Sequence, residues 1–106
     1  MSSWVDVAKH GAISPGEMSV FSLDHVEVVV INLDDRYFAI EDVCTHDGSE
    51  ISSGCLRGYS IECPRHGARF DIRSGEVLDP PAYEAVRVFQ TRIYNGMIQV
   101  LDDSEE

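Results

Sequence analysis

Cys44-Thr45-His46 and Cys63-Pro64-Arg65-His66 are the two stretches from which the rest of the chain can be read. Each holds one thiol and one imidazole, with residues 47–62 between them. Two Cys and two His in mixed order, C-x-H and then C-x-x-H, suit either of two groups. One is a tetrahedral zinc ion; the other is a [2Fe–2S] cluster with two Cys on one iron and two His on the other. Structural zinc sites pair Cys with Cys and His with His along the chain. Here each loop offers one of each, and that spacing favours the cluster.

Working outward, 106 residues make one domain with room for a single core. The chain has 8 basic and 19 acidic residues and a formal net charge of −11. That balance argues against nucleic acid or an anionic membrane surface as partner and suits steering toward a basic docking face. No stretch approaches the ~20 apolar residues of a membrane span. Residues 1–17 lack the charged segment and apolar run of a signal peptide, so the expected location is the cytoplasm. The tail Asp102-Asp103-Ser104-Glu105-Glu106 reads as a solvated end.

The remaining pattern is that of strands and turns. Trp4 to Val7 alternates, with Trp4 expected in the core; Met18 to Leu23 follows as a second strand. Val26 to Leu33 is rich in β-branched residues and reads as a central strand. Asp34-Asp35 turns the chain into Arg36 to Glu41. Residues 47–58 are rich in Gly and Ser and are expected to be irregular backbone, before a brief strand, Tyr59 to Glu62, delivers Cys63. Arg69–Ile72 and Glu76–Leu78 form a predicted hairpin about Ser74-Gly75, and Pro80-Pro81 a rigid loop. Val86 to Tyr94 and Met97 to Leu101 close the chain about Asn95-Gly96. No stretch has convincing helical periodicity, and the fold class is all-β.

The two cysteine–histidine loops, with Cys63-Pro64-Arg65-His66-Gly67-Ala68-Arg69-Phe70-Asp71 and Pro80-Pro81-Ala82, resemble the Rieske [2Fe–2S] proteins, in particular the small soluble ferredoxins. The likeness is strong over residues 43–82 and weak in the flanking strands. It implies an antiparallel β-sandwich base, residues 1–42 and 76–106, with a smaller cluster-binding subdomain, residues 43–75, inserted in it. It implies that Cys44 and Cys63 bind the inner iron of one [2Fe–2S] cluster, and His46 and His66 the outer one. With two thiolates and two neutral imidazoles the oxidised site is neutral, so an electron is added more easily than at a Cys₄ site.

The family's high-potential branch carries an extra Cys in each loop and two hydroxyl donors to the cluster sulfurs. This chain has Ser49 and Arg65 in place of the first pair, and Ala68 and Phe70 in place of the second. The expected potential is therefore at the low end, on the order of −150 mV, with little pH dependence around neutrality. Cys55 is left as a free thiol packed in the loop, and His10 and His25 as loop or surface histidines. Arg65 and Arg69 are candidates for partner contact or for pairing with Asp47 or Asp71; Pro64 is expected to shape the second loop.

The resemblance implies a one-electron carrier and not an enzyme in itself. It would take electrons from a flavin reductase and pass them to a terminal oxygenase such as an aromatic-ring dioxygenase. The oxygenase's own iron needs a 2-His-1-carboxylate site, and no His follows Pro81. Three alternatives remain: the small Rieske-like subunit of a nitrite reductase, a carrier serving another route such as iron–sulfur assembly, and a zinc-stabilised interaction module. Many of the nitrite reductase subunits have lost the ligands, and this chain retains all four. Transient docking through an exposed cluster edge suits a monomer.

Overall fold

The computed structural model describes residues 2–45, 48–64, 67–80 and 84–103. Among these residues the regular structure is all strand apart from one short 3₁₀ turn, Ile51–Ser53. Strands β1 (Ser3–Lys9), β11 (Met97–Asp102) and β10 (Thr91–Tyr94) form the first antiparallel sheet in that order. The second has the order β2 (Met18–Ser22), β3 (Glu27–Leu33), β4 (Arg36–Glu41) and β9 (Val88–Phe89). The third joins β5 (Cys55–Arg57), β6 (Ser60–Glu62), β7 (Arg69–Asp71) and β8 (Val77–Asp79).

β3 explains how the sheets stack. Val28, Val29, Val30 and Ile31 are all fully buried, so neither face of this strand meets water. Successive side chains point to opposite faces. Accordingly Val28 and Val30 join an apolar cluster with Phe89, Ile98 and Val100, against the first sheet. Val29 and Ile31 join a second cluster with Ile61, Phe70 and Ile72 of the third sheet and the turn after it. β4 divides in the same way, Ala39 to the first cluster and Ile40 to the second. The second sheet is thus the middle layer. The unbroken apolar run that marked β3 as central has this physical cause.

The turns follow local chemistry. Asp34 and Asp35 have φ of 53° and 61°, and Asn95 and Gly96 have 51° and 75°. Two-residue hairpin loops that match strand twist need left-handed backbone at both positions, which Asn, Asp and Gly tolerate best.

Four expectations need correction. The run Val86 to Tyr94 is not one strand: β9 pairs with β4 and β10 pairs with β11, so the chain changes sheets at Gln90. The stretch 47–58 is not wholly irregular, because it contains the 3₁₀ turn and β5. Trp4 is half-buried and belongs to neither core; the Arg92 guanidinium lies 4.2 Å over its ring. Cys55 is exposed at the start of β5 and not packed in a loop.

Candidate metal centre

β4 ends at Glu41 and β6 at Glu62, and the two cysteines of the motif follow these ends. Cys44 therefore hangs from the middle sheet and Cys63 from the third. Both side chains are fully buried, and both belong to one apolar cluster with Ile51, Ile61, Ala68 and Phe70.

The two loops share one backbone device. The Cys44 amide donates to the Ser49 carbonyl (2.7 Å), and the Gly48 amide donates back to the Cys44 carbonyl (2.7 Å). At the same offsets, the Cys63 amide donates to the Ala68 carbonyl (2.7 Å) and the Gly67 amide to the Cys63 carbonyl (3.1 Å). Gly48 and Gly67 both have φ of 78°, a left-handed conformation that side chains resist. A glycine four residues after each cysteine is a sequence signal of this device, visible once the loops are aligned on their cysteines.

Further contacts tie the first loop down. Asp42 accepts hydrogen bonds from the Ser52 amide (2.8 Å) and hydroxyl (3.0 Å), pinning the 3₁₀ turn to the strand that leads to Cys44. The Thr45 hydroxyl donates to the Glu84 carbonyl (2.7 Å), anchoring the loop to the segment that follows the paired prolines. The spacing of the sequence pointed to neither contact.

His46 and His66 lie outside the described residues, as do Asp47, Arg65, Pro81 and Ala82. Arg69 is ion-paired with Asp79 and not with Asp71, whose partner is Arg73. Pro64 is exposed in the turn after Cys63. His10 and His25 are both exposed, as expected, and the His10 ring meets Tyr37 edge-on.

The donor set suits an iron–sulfur group. Two thiols lie fully buried in one apolar cluster from separately closed loops, and no disulfide joins any of the three cysteines, all of which are described. Thiolates so placed match the soft, sulfur-rich ligation of such clusters.

The Rieske [2Fe-2S] domain family matches residues 3–90, and the chain belongs to it. Its cofactor is accordingly one Rieske cluster held by two cysteines and two histidines. Among individual relatives, the chain is 38% identical to the biphenyl dioxygenase ferredoxin subunit of Pseudomonas sp. (strain KKS102), over 76% of this chain and 75% of that one. It also superposes on a structure of the complex of reduced oxygenase and oxidized ferredoxin in carbazole 1,9a-dioxygenase. There the TM-score is 0.86 and the identity 30%, covering 92% of this chain and 91% of the other. The "putative NADH-dependent nitrite reductase small subunit" from Mycobacterium tuberculosis has the same fold at TM-score 0.84 and 25% identity, over 95% and 96% of the two chains.

Proposed function

We propose that this chain is a soluble one-electron carrier, a Rieske ferredoxin that serves a terminal oxygenase of the aromatic-ring dioxygenase type. It is an electron-transfer component and not a catalyst on its own. The observation that carries the reading is the pair of buried thiols, Cys44 and Cys63, at the heads of two loops closed by the same hydrogen bonds. The biphenyl and carbazole dioxygenase relatives support the choice of oxygenase as acceptor. A flavin-dependent reductase as donor, a monomeric state and a cytoplasmic location complete the proposal. Among the described residues no helix is long and apolar enough to cross a membrane.

Cys44, His46, Cys63 and His66 are the proposed ligands. When bound, the cluster supplies a single one-electron couple within the range of Rieske potentials. The chain's own residues do the rest. Cys44 and Cys63 bring the two negative charges that balance the oxidised core. Ile51, Ile61, Ala68 and Phe70 exclude water around the thiolates. Ala68 and Phe70, buried beside the thiols, carry no side-chain donor and would leave the potential low. In the proposed division, base residues 1–42 and 76–106 support the cluster-binding subdomain 43–75. β8 (Val77–Asp79), just past that boundary, completes the third sheet.

The test is reduction of the purified brown protein by a flavoprotein reductase and NADH, followed by mixing with an aromatic-ring oxygenase. Bleaching in a one-electron step and recolouring on contact with the oxygenase are expected. A colourless protein containing zinc, or one that co-purifies only as a subunit of a nitrite reductase, would overturn the reading.

A further inference from the structure

Because Cys44 and Cys63 are delivered by different sheets, the separation of the two thiolates depends on how those sheets are docked. Most of what joins them is apolar packing among residues such as Val29, Ile40, Ile61 and Phe70. That attraction is non-directional and sets proximity better than register. Among the described residues two polar junctions do have direction: Asp42 with Ser52, close to Cys44, and, at the opposite ends of the strands, one that centres on Tyr59 in the turn between β5 and β6.

The Tyr59 hydroxyl donates to the Asp34 carboxylate in the turn between β3 and β4. Its ring meets Phe38 of β4 edge-on, with centroids 5.9 Å apart and planes at 84°. The Arg73 guanidinium, from the turn between β7 and β8, lies 4.3 Å over the ring and is itself held by Asp71 through a bond of 2.8 Å. The Tyr59 carbonyl accepts the Ile72 amide at 2.9 Å. Three turns from two sheets therefore converge on one side chain. The bond to Asp34 also holds the phenol above the ordinary tyrosine range. Asp34 makes this contact from a left-handed backbone, φ 53°, where glycine would be less strained.

We propose that Tyr59 is a positioning residue for the cluster, fastening the sheet that delivers Cys63 to the sheet that delivers Cys44. The proposal rests on the ligand assignment above. It differs from a purely structural role in one respect: stability of the β3–β4 hairpin and retention of the cluster come apart. Asp34→Gly relieves the turn but removes the acceptor. Asp34→Asn keeps an acceptor, and Tyr59→Phe keeps both ring contacts while losing the bond.

The experiment compares the cluster-loaded parent with these three variants by three readouts. They are the half-life of the visible absorbance under an iron chelator, the line widths of the reduced protein's electron paramagnetic resonance spectrum, and amide hydrogen exchange in β3 and β4. Tyr59→Phe and Asp34→Gly should lose colour about twofold to fivefold faster, the scale of an exposed polar contact, and show broader lines. Asp34→Asn should match the parent, and Asp34→Gly should keep or improve its β3–β4 protection. A coloured parent whose Phe and Gly variants have its half-life and line widths overturns the proposal. So does colour loss in Asp34→Gly that merely follows lost β3–β4 protection. A colourless parent defeats the ligand assignment itself, and the positioning role with it.

Discussion

Gly48 and Gly67 hold the same backbone conformation at the same distance from their cysteines. If the loops are closed by these left-handed residues, Gly67→Ala should cost about 1–2 kcal/mol. It should also weaken the bond from the residue 67 amide to the Cys63 carbonyl. Lower cluster occupancy at unchanged iron supply, read from absorbance per polypeptide, checks this. Cys44→Ser or Cys63→Ser should abolish the cluster spectrum altogether, because a hydroxyl is a poor substitute for a buried thiolate. Cys55→Ser should leave the spectrum unchanged, since that thiol is exposed on β5. The proposed cysteine ligands were legible as residue types with a spacing. The tethers from Thr45 to Glu84 and from Ser52 to Asp42 were not, because each joins residues that no local pattern relates.

At the scale of elements, the two apolar clusters on either side of the middle sheet give separable expectations. Ile40 is fully buried among the residues that surround the cysteines, and Ile40→Ala should cost about 2–5 kcal/mol, measured by urea unfolding. The turn after β7 offers a pH test. Hydrogen bonding from Arg73 holds the Asp71 carboxyl below its ordinary value of 3.8. A depressed folded-state value means that the charged form stabilises the fold above the unfolded value, and that this contribution disappears as pH falls through the folded one. The parent should therefore be more stable than Asp71→Asn at pH 7, with the gap closing below about pH 4. A gap that stayed constant from pH 7 to pH 3 would show that Asp71 acts by shape and not by charge.

For the whole molecule, the formal charge of −11 sets an expectation about encounter. Electron transfer to an acceptor with a basic docking face should slow as salt rises from 20 to 500 mM on the order of tenfold, the behaviour of steered association. A rate indifferent to salt would mean that docking is governed by apolar contact. Ala68 and Phe70 are both buried in the apolar core that holds Cys44 and Cys63 and bring no hydroxyl to it. An optical redox titration at pH 6, 7 and 8 should thus find one potential near the low end of the Rieske range, on the order of −150 mV, with little drift. A high potential falling steeply with pH would point to sulfur hydrogen bonds from other groups.

The sequence by itself determined the chemistry and the class of fold. Two Cys–His loops offer the proposed donor set, alternation defines strands, and Asp-Asp and Asn-Gly define hairpin turns, because each of these is a short-range property of the chain. Tertiary structure alone decided the partners. The run Val86 to Tyr94 looks uniform, yet its halves pair with β4 and β11, since strand pairing is chosen by distant neighbours and not by local propensity. For the same reason Trp4 left the core for a place beneath Arg92, and Arg69 found Asp79. Tyr59 and Asp34, 25 residues apart, meet only because two separately formed turns are brought together when the sheets stack.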